Sequence, residues 1–295
     1  MYDIKAIYEA YTIEEAIKLR KEHPEAHIIG GGSDVLISIR DGSMAGCELI
    51  SIYLCDDLRG ISLEDDGTLR IGSLTSFTDI TNNDLVQKYC PTLGEAVDTA
   101  GGPQLRNIAT IGGNISNGVP SADSATSIQA YDAIIELQGE GGVREVKARD
   151  FNLGFGKVDI RDTEIVTAVK IRKESYEGYK GHYFKYAMRN AMDIATSSCS
   201  ANVKLKDGNI VEDIRVAYGV AGPTPLRVFK AEEWFKGKEF SDDNMKEFAK
   251  KALEELSPRD SWRASKEFRI QLLYEIAYRS LKSIKEKFEG GQNAH

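Results

Sequence analysis

Near the start of the chain Thr12 and Glu15 form a capping box, and Ile13, Ala16, Ile17 and Leu19 then recur on one face until Pro24, predicting a helix over roughly 13–22. His27, Ile28 and Ile29 make a short apolar strand that runs straight into Gly30-Gly31-Gly32-Ser33-Asp34, after which Val35, Leu36, Ile37 and Ile39 resume the hydrophobic pattern. Strands are expected at 48–54 and 68–72, the second entered through the turn signal Asp65-Asp66-Gly67, and a helix at about 84–98. A second glycine-rich region runs from Gly101 to Asp123. It precedes a helical stretch at 125–130, a strand at 133–138 and a hairpin through Gly139-Glu140-Gly141-Gly142 into 143–147.

Residues 174–180 read as a polar loop, and strands follow near 197–205 and 211–221. The last seventy residues read as helical. One helix has Ser241 as N-cap, Asp242 and Asp243 in its first turn, and Met245, Phe248, Ala249, Ala252, Leu253 and Leu256 on one face. A longer one carries Leu273, Ile276, Ala277, Leu281, Ile284 and Phe288. This order predicts an α+β fold, not a doubly wound parallel sheet. The change of texture predicts a domain boundary near 176, giving domains 1–176 (subdomains about 1–55 and 56–176) and 177–290.

Composition narrows the classes. With 41% hydrophobic and 28% charged residues the chain is a soluble globular protein able to bury a core without staples. Its net charge of −8 argues against a nucleic-acid or anionic-membrane surface. No run of eighteen apolar residues and no apolar leader occurs. Cys47, Cys55, Cys90 and Cys199 lie too far apart for a zinc ribbon or an iron–sulfur cluster, and His23, His27, His182 and His295 offer no metal spacing. Scattered cysteines read as reduced thiols, and the chain as cytoplasmic.

The chemistry concentrates in the two glycine regions. Consecutive glycines at 30–32 allow backbone N–H groups to converge on an anion such as a diphosphate, or simply to make a tight turn. The dinucleotide pattern GxGxxG fails at Val35, and Lys157-Val158 rules out a Walker A loop. Between Arg106 and Asp123 the chain is uncharged and rich in short polar groups, which suits diphosphate and sugar hydroxyls. Asp123 could accept from a ribose or ribityl hydroxyl, or could cap the following helix.

Six blocks in order carry a family resemblance: His27 to Asp34, Ala109-Thr110-Ile111-Gly112-Gly113-Asn114, Pro120 to Ser124, Phe184 to Arg189, Asp193 to Ala195, and Ser261 to Arg269. Nearly end to end the chain resembles the FAD-binding subunits of bacterial xanthine dehydrogenases. The resemblance implies a two-subdomain FAD-binding fold of the vanillyl-alcohol-oxidase type and a C-terminal domain of antiparallel strands and helices. It places His27, Ile28, Ile29, Gly30, Gly31, Gly32, Ser33 and Asp34 along the diphosphate of a noncovalent FAD, and Ala109, Thr110, Ile111, Gly112 and Gly113 along its other side. Asn114, Asn117 and Asp123 would complete the polar shell. Like charges repel, so the Asp34 carboxylate is expected to turn from the phosphates and cap backbone N–H groups.

Ile165 and Phe184 would contact the flavin, and Lys185 would stabilise negative charge over N1 and the C2 carbonyl. Arg189 and Asp193 would pair, and Trp262, Arg263 and Arg269 would fix the last helix or a subunit contact. The resemblance further implies a complex in which a molybdenum-binding subunit hydroxylates a purine and an iron–sulfur subunit carrying [2Fe-2S] clusters relays electrons. This chain would pass them through FAD to NAD+. One departure stands out. Some eukaryotic relatives set an aromatic ring against the flavin just before the second glycine block, where this chain has Thr99-Ala100-Gly101-Gly102-Pro103-Gln104. The alternatives are a flavin subunit acting with carbon monoxide, nicotinate or aromatic-CoA hydroxylases, a free-standing flavin reductase, and a structural subunit without flavin.

Overall fold

In the computed structural model, which describes residues 2–290, the chain forms three main sheets. The first unit holds β1 (Ile4–Glu9), α1 (Ile13–Glu22), β2 (His27–Ile29), α2 (Val35–Arg40) and β3 (Cys47–Ser51), with the strands parallel in the order β1-β3-β2. α1 begins where the capping box requires, the Thr12 hydroxyl accepting from the Glu15 N–H at 3.1 Å. β1 adds to the sequence reading. Its Ile4, Ala6 and Tyr8 are half-buried and alternate with exposed neighbours, as on an edge strand.

The second unit contains β4 (Ile61–Leu63), β5 (Leu69–Gly72), α3 (Phe77–Asn82), α4 (Asp84–Tyr89), α5 (Pro91–Asp98), α6 (Pro103–Ile108), α7 (Ile111–Ser116) and α8 (Asp123–Ala130). It continues with β6 (Ile134–Gly139), β7 (Gly142–Lys147), α9 (Ala148–Phe151), the hairpin β8 (Asn152–Gly154) and β9 (Lys157–Val158), β10 (Ile165–Ile171) and α10 (Lys173–Tyr176). The sheet is antiparallel in the order β4-β5-β10-β6-β7. Central β10 is apolar nearly throughout because both its faces are covered. The helix expected over 84–98 is two, since Cys90 leaves helical geometry (φ −135°, ψ 50°) and Pro91, which lacks an N–H, opens α5. The second glycine region is likewise no plain loop but carries α6 and α7.

The third unit has β11 (Tyr179–Tyr186), β12 (Ser197–Lys206), β13 (Ile210–Gly219) and β14 (Leu226–Arg227), paired antiparallel in that order, then α11 (Phe229–Phe235), α12 (Asp242–Leu253) and α13 (Lys266–Gly290). β11 therefore starts inside the stretch expected to be a polar loop. Ser241 holds the N-cap position of α12 but its hydroxyl makes no capping bond, and the acidic Asp242 and Asp243 face the helix N-terminus instead. Phe235, Phe248, Leu273 and Ile284 fill the core between this sheet and its helices. No helix among the described residues is long and apolar enough to cross a membrane.

The third sheet turns its other face to α5 and α8, and the seam there is made of small polar groups. Thr92, Ser127, Ser200 and Asn202 are buried. The Thr92 hydroxyl donates to Asn202 Oδ1 at 3.1 Å, and the Ser127 and Ser200 hydroxyls meet at 3.0 Å. This polar seam bears on the site, because β11 brings its end across it to the loops of the second unit.

Candidate functional site

β2 ends at Ile29, and the chain leaves the parallel sheet through Gly30, Gly31 and Gly32, the last with φ +75°. From Gly30 to Asp34 none of the five backbone N–H groups donates to a protein acceptor among the described residues. Polar groups without a protein partner in a half-buried loop are satisfied by water or by a ligand. Successive free donors with no charged side chain among the glycines are of the kind that suits phosphate groups. The residues present therefore fit a diphosphate.

The second block closes on the first. A Cβ on Gly31 would stand 1.6 Å from the Ile108 carbonyl oxygen, at the end of α6, and one on Gly30 would lie 3.6 Å from the Thr110 hydroxyl. The two glycine regions, about eighty residues apart, thus touch backbone to backbone. α7 follows at once. Thr110 caps it, accepting from Gly113 N–H at 3.2 Å, while the Ile111 and Gly112 N–H groups are used on the carbonyls of Thr75 and Ser73 at 3.2 and 2.8 Å. The second block is consequently not the donor-rich loop expected; its amides lock it to the turn after β5, and Gly112 is required because a Cβ would meet Ser73 Cβ at 2.6 Å. Asn114 Oδ1 accepts from the Ser124 N–H at 3.2 Å and the Ser124 hydroxyl at 2.6 Å, so Asn114 ties α7 to the start of α8. Asn117 is half-buried at the end of α7.

Asp123 is the first residue of α8 but caps nothing. Its oxygens accept from Lys185 Nζ at 3.0 and 3.2 Å and from the Tyr183 hydroxyl at 3.2 Å. Burial pushes the Asp123 carboxyl up while Lys185 and Tyr183 pull it back toward the charged form. Lys185 also donates to the Thr99 carbonyl at 3.1 Å. The Lys185 ammonium is therefore not a free cation but half of an ion pair bridging β11, α8 and the end of α5.

Other expected residues do not converge. Phe184 alternates to the opposite face of β11 from Tyr183 and Lys185 and packs against the C-terminal core, so the period of two along a strand takes it away from the loops. Ile165 is only 3% exposed and belongs to the cluster with Leu74 and Ile50. Asp34 makes no capping bond, contrary to expectation, its own backbone being already helical (φ −99°, ψ −45°) where a capping residue is extended. It is exposed, yet desolvation by the surrounding atoms raises its carboxyl. His27 is exposed at the start of β2, and Ile28 and Ile29 are half-buried strand residues leading into the turn. Arg189 and Asp193 pair at 3.5 Å, and buried Arg269 donates to the Thr196 carbonyl and to Ser261 Oγ at 2.7 Å, pinning α13. Trp262 is 77% exposed. His295 lies outside the described residues.

Sequence reasoning missed Tyr183, Thr99 and Ile108. The first is visible only as an alternate partner of Lys185 on a strand, and the other two act through backbone carbonyls, which no side chain announces. A hollow of about 540 Å³ lined by Glu64, Lys88, Tyr89, Lys173 and Tyr176 lies elsewhere and includes no residue of either glycine block.

Residues 2–173 match the family model described as the FAD binding domain in molybdopterin dehydrogenase, and residues 182–284 match the CO dehydrogenase flavoprotein C-terminal domain. The chain is 41% identical over 273 residues to a xanthine dehydrogenase FAD-binding subunit of Escherichia coli, covering 92% of this chain and 93% of that one. It is 31% identical over 275 residues to the glyceraldehyde dehydrogenase medium chain of Sulfolobus acidocaldarius, covering 93% and 96%. A solved carbon monoxide dehydrogenase of Hydrogenophaga pseudoflava superposes with a TM-score of 0.92 at 27% identity, covering 97% of this chain and 99% of that one.

Proposed function

This chain belongs to the FAD-binding subunits of the molybdopterin dehydrogenases, and on that premise we propose that it is the electron outlet of a xanthine dehydrogenase-type complex that reduces NAD+. The observation that carries the reading is the run of unpaired N–H groups from Gly30 to Asp34, packed against the second glycine block through Gly31 and Ile108. FAD held there would supply the redox chemistry that no side chain of this chain offers, linking iron–sulfur centres on one partner to NAD+, while molybdenum chemistry would stay on another.

The chain's own part is binding and orientation. The first loop holds the diphosphate by backbone donors, so its affinity does not depend on a basic side chain. α7, locked by Thr110, Ser73 and Thr75, presents Asn114 and Asn117 beside it. The Asp123–Lys185 pair closes the side of the cleft, and its near-zero net charge lets it offer a hydrogen bond to ring or ribityl oxygens without a bare cation. Tyr183 and Thr99 fix that pair in place. The higher identity to the xanthine dehydrogenase subunit than to the glyceraldehyde and carbon monoxide relatives supports the purine-linked reading. The close superposition on the carbon monoxide enzyme keeps a related hydroxylase as the second reading.

A tagged chain recovered with its natural partners tests this. The expected product is a yellow-brown complex containing FAD, molybdenum and iron that reduces NAD+ with xanthine. A flavin-free complex, or one active only with another substrate or with a quinone or ferredoxin, overturns the specific assignment.

A further inference from the structure

The segment joining α12 to α13 gathers positive charge on a chain whose net charge is −8. Arg259 and Arg263 lie in that segment and Arg269 at the opening of α13. Burial, and then repulsion from Arg259 and Arg263, lower the Arg269 guanidinium from its ordinary value, and Asp260 alone pulls the other way. Asp260 is already engaged, its Oδ1 accepting from the Lys266 N–H at 2.8 Å. Among the described residues none of the three arginines forms a salt bridge with a carboxylate. The Arg189–Asp193 pair nearby on the chain is closed on itself.

Arg269 is 2% exposed, and its guanidinium meets only neutral oxygens, the Thr196 carbonyl and Ser261 Oγ. Its Nε–H is buried without a partner. Ser261 Oγ also accepts from the Arg263 N–H at 3.2 Å, and Ser261 and Ala264 exchange backbone bonds at 3.0 and 3.3 Å. The tight turn that carries Arg263 therefore sits directly against the buried cation. In that turn the Arg263 guanidinium lies over the Trp262 ring, 4.3 Å from its centroid, and its Nε–H is again buried and unpartnered. Thr196 adds a further free donor: it is 1% exposed, its carbonyl serves Arg269, and its hydroxyl bonds nothing.

A buried charge without a counter-charge and a buried donor without an acceptor are each costly, and both kinds meet around this one turn. Three guanidinium groups against the one carboxylate of Asp260 call for a doubly charged anion, with more acceptor sites than the two oxygens of a carboxylate. A phosphate group carries about −1.5 to −2 charge near pH 7 and at least three acceptor oxygens, and arginine grips it through paired N–H bonds. We propose that the segment between α12 and α13 is a phosphate-binding site: Arg259 and Arg263 close from the solvent side on an oxyanion that faces the buried Arg269 and the Thr196 hydroxyl. The site is separate from the glycine loop, since it works through guanidinium groups where that loop has only backbone N–H groups. Occupied, it relieves the repulsion among the arginines and fastens the opening of α13 to the start of β12 through Thr196.

Inorganic phosphate titrated into the full chain, by calorimetry and by thermal unfolding at pH 7 with ionic strength held constant by chloride, tests this. Phosphate is expected to bind and to raise the melting temperature, and acetate, the carboxylate comparison, to bind at least about tenfold more weakly. Combining Arg259→Gln with Arg263→Gln removes two charge-assisted contacts and is expected to weaken phosphate binding at least about tenfold and to abolish the phosphate-induced rise, while unfolding in chloride stays cooperative. The two single variants, each changing one arginine that is not fully buried, are expected to weaken phosphate binding about threefold or more and carry the test should the double variant not fold. Absence of phosphate binding by the parent chain overturns the proposal. So does acetate binding as tightly as phosphate, or phosphate binding that the arginine variants retain at full strength, as anions held by the amides of Gly30 to Asp34 would be.

Discussion

At the scale of single residues the site depends on what is missing as much as on what is present. Gly31 shows this most directly: alanine there would place a methyl 1.6 Å from the Ile108 carbonyl oxygen, and backbone cannot yield as a side chain can. Gly31→Ala is expected to part the two glycine blocks, costing about 1–3 kcal/mol of stability and at least about tenfold in FAD affinity, read by thermal unfolding and FAD titration. Gly154→Ala, with nothing within 4 Å of its Cβ position, is the control expected to change neither. The Asp123–Lys185 pair makes a second test. Lys185→Met or Asp123→Asn alone leaves a buried partner unpaired and is expected to cost about 3–5 kcal/mol, while the double variant costs clearly less than the sum in a double-mutant cycle. The glycines and both members of this pair are legible as residues, but their pairing is not: Asp123 and Lys185 lie 62 positions apart, and nothing local says that one faces the other.

At the scale of elements, the C-terminal helix is held to the FAD-binding unit by a carboxylate. Glu95 on α5 accepts from Lys287 Nζ on α13 at 2.8 Å and from the Tyr183 N–H on β11 at 2.9 Å, with His182 Nδ1 at 3.2 Å. Burial pushes its carboxyl up, but these donors outweigh burial and hold it at about 2, against an ordinary 4.5. A pKa lowered in the folded state means stabilisation that is full above about pH 4.5 and is lost as pH falls toward 2. Glu95→Gln is expected to remove this acid-side slope and, after discount for solvent screening of a partly exposed group, about 1–2 kcal/mol near neutral pH, measured by denaturant unfolding across that pH range. Elements with a periodic apolar face, such as α1, α12 and α13, are legible because one face alone meets the core. α6 and α7 are not, since each is six residues long, α6 opening on Pro103 without a side-chain cap and α7 held by the Thr110 cap and by backbone bonds to the turn after β5, leaving little periodicity to read.

For the whole molecule, two apolar cores flank a seam where Thr92 bonds Asn202 and Ser127 bonds Ser200. Asn202→Ala, which strips Thr92 of its buried acceptor, is expected to cost about 1–3 kcal/mol by thermal unfolding. Burial also governs the thiols. Cys55, Cys90 and Cys199 are enclosed, with burial pushing Cys55 up to about 11 and Cys199 to about 12, whereas Cys47 is half-buried. A disulfide reagent at pH 8 is therefore expected to titrate at most Cys47 in the native chain and all 4 cysteines in denaturant. The residue order alone determined the α+β class, most strands and long helices, and the two glycine blocks, because these follow from local periodicity and from backbone freedom that only glycine has. Tertiary structure decided which amides stay free for a diphosphate, that Phe184 and Ile165 turn into cores, and that Asp123 neutralises Lys185. Those are matters of which distant backbones approach each other, and no local pattern in a chain encodes a distance across a seam.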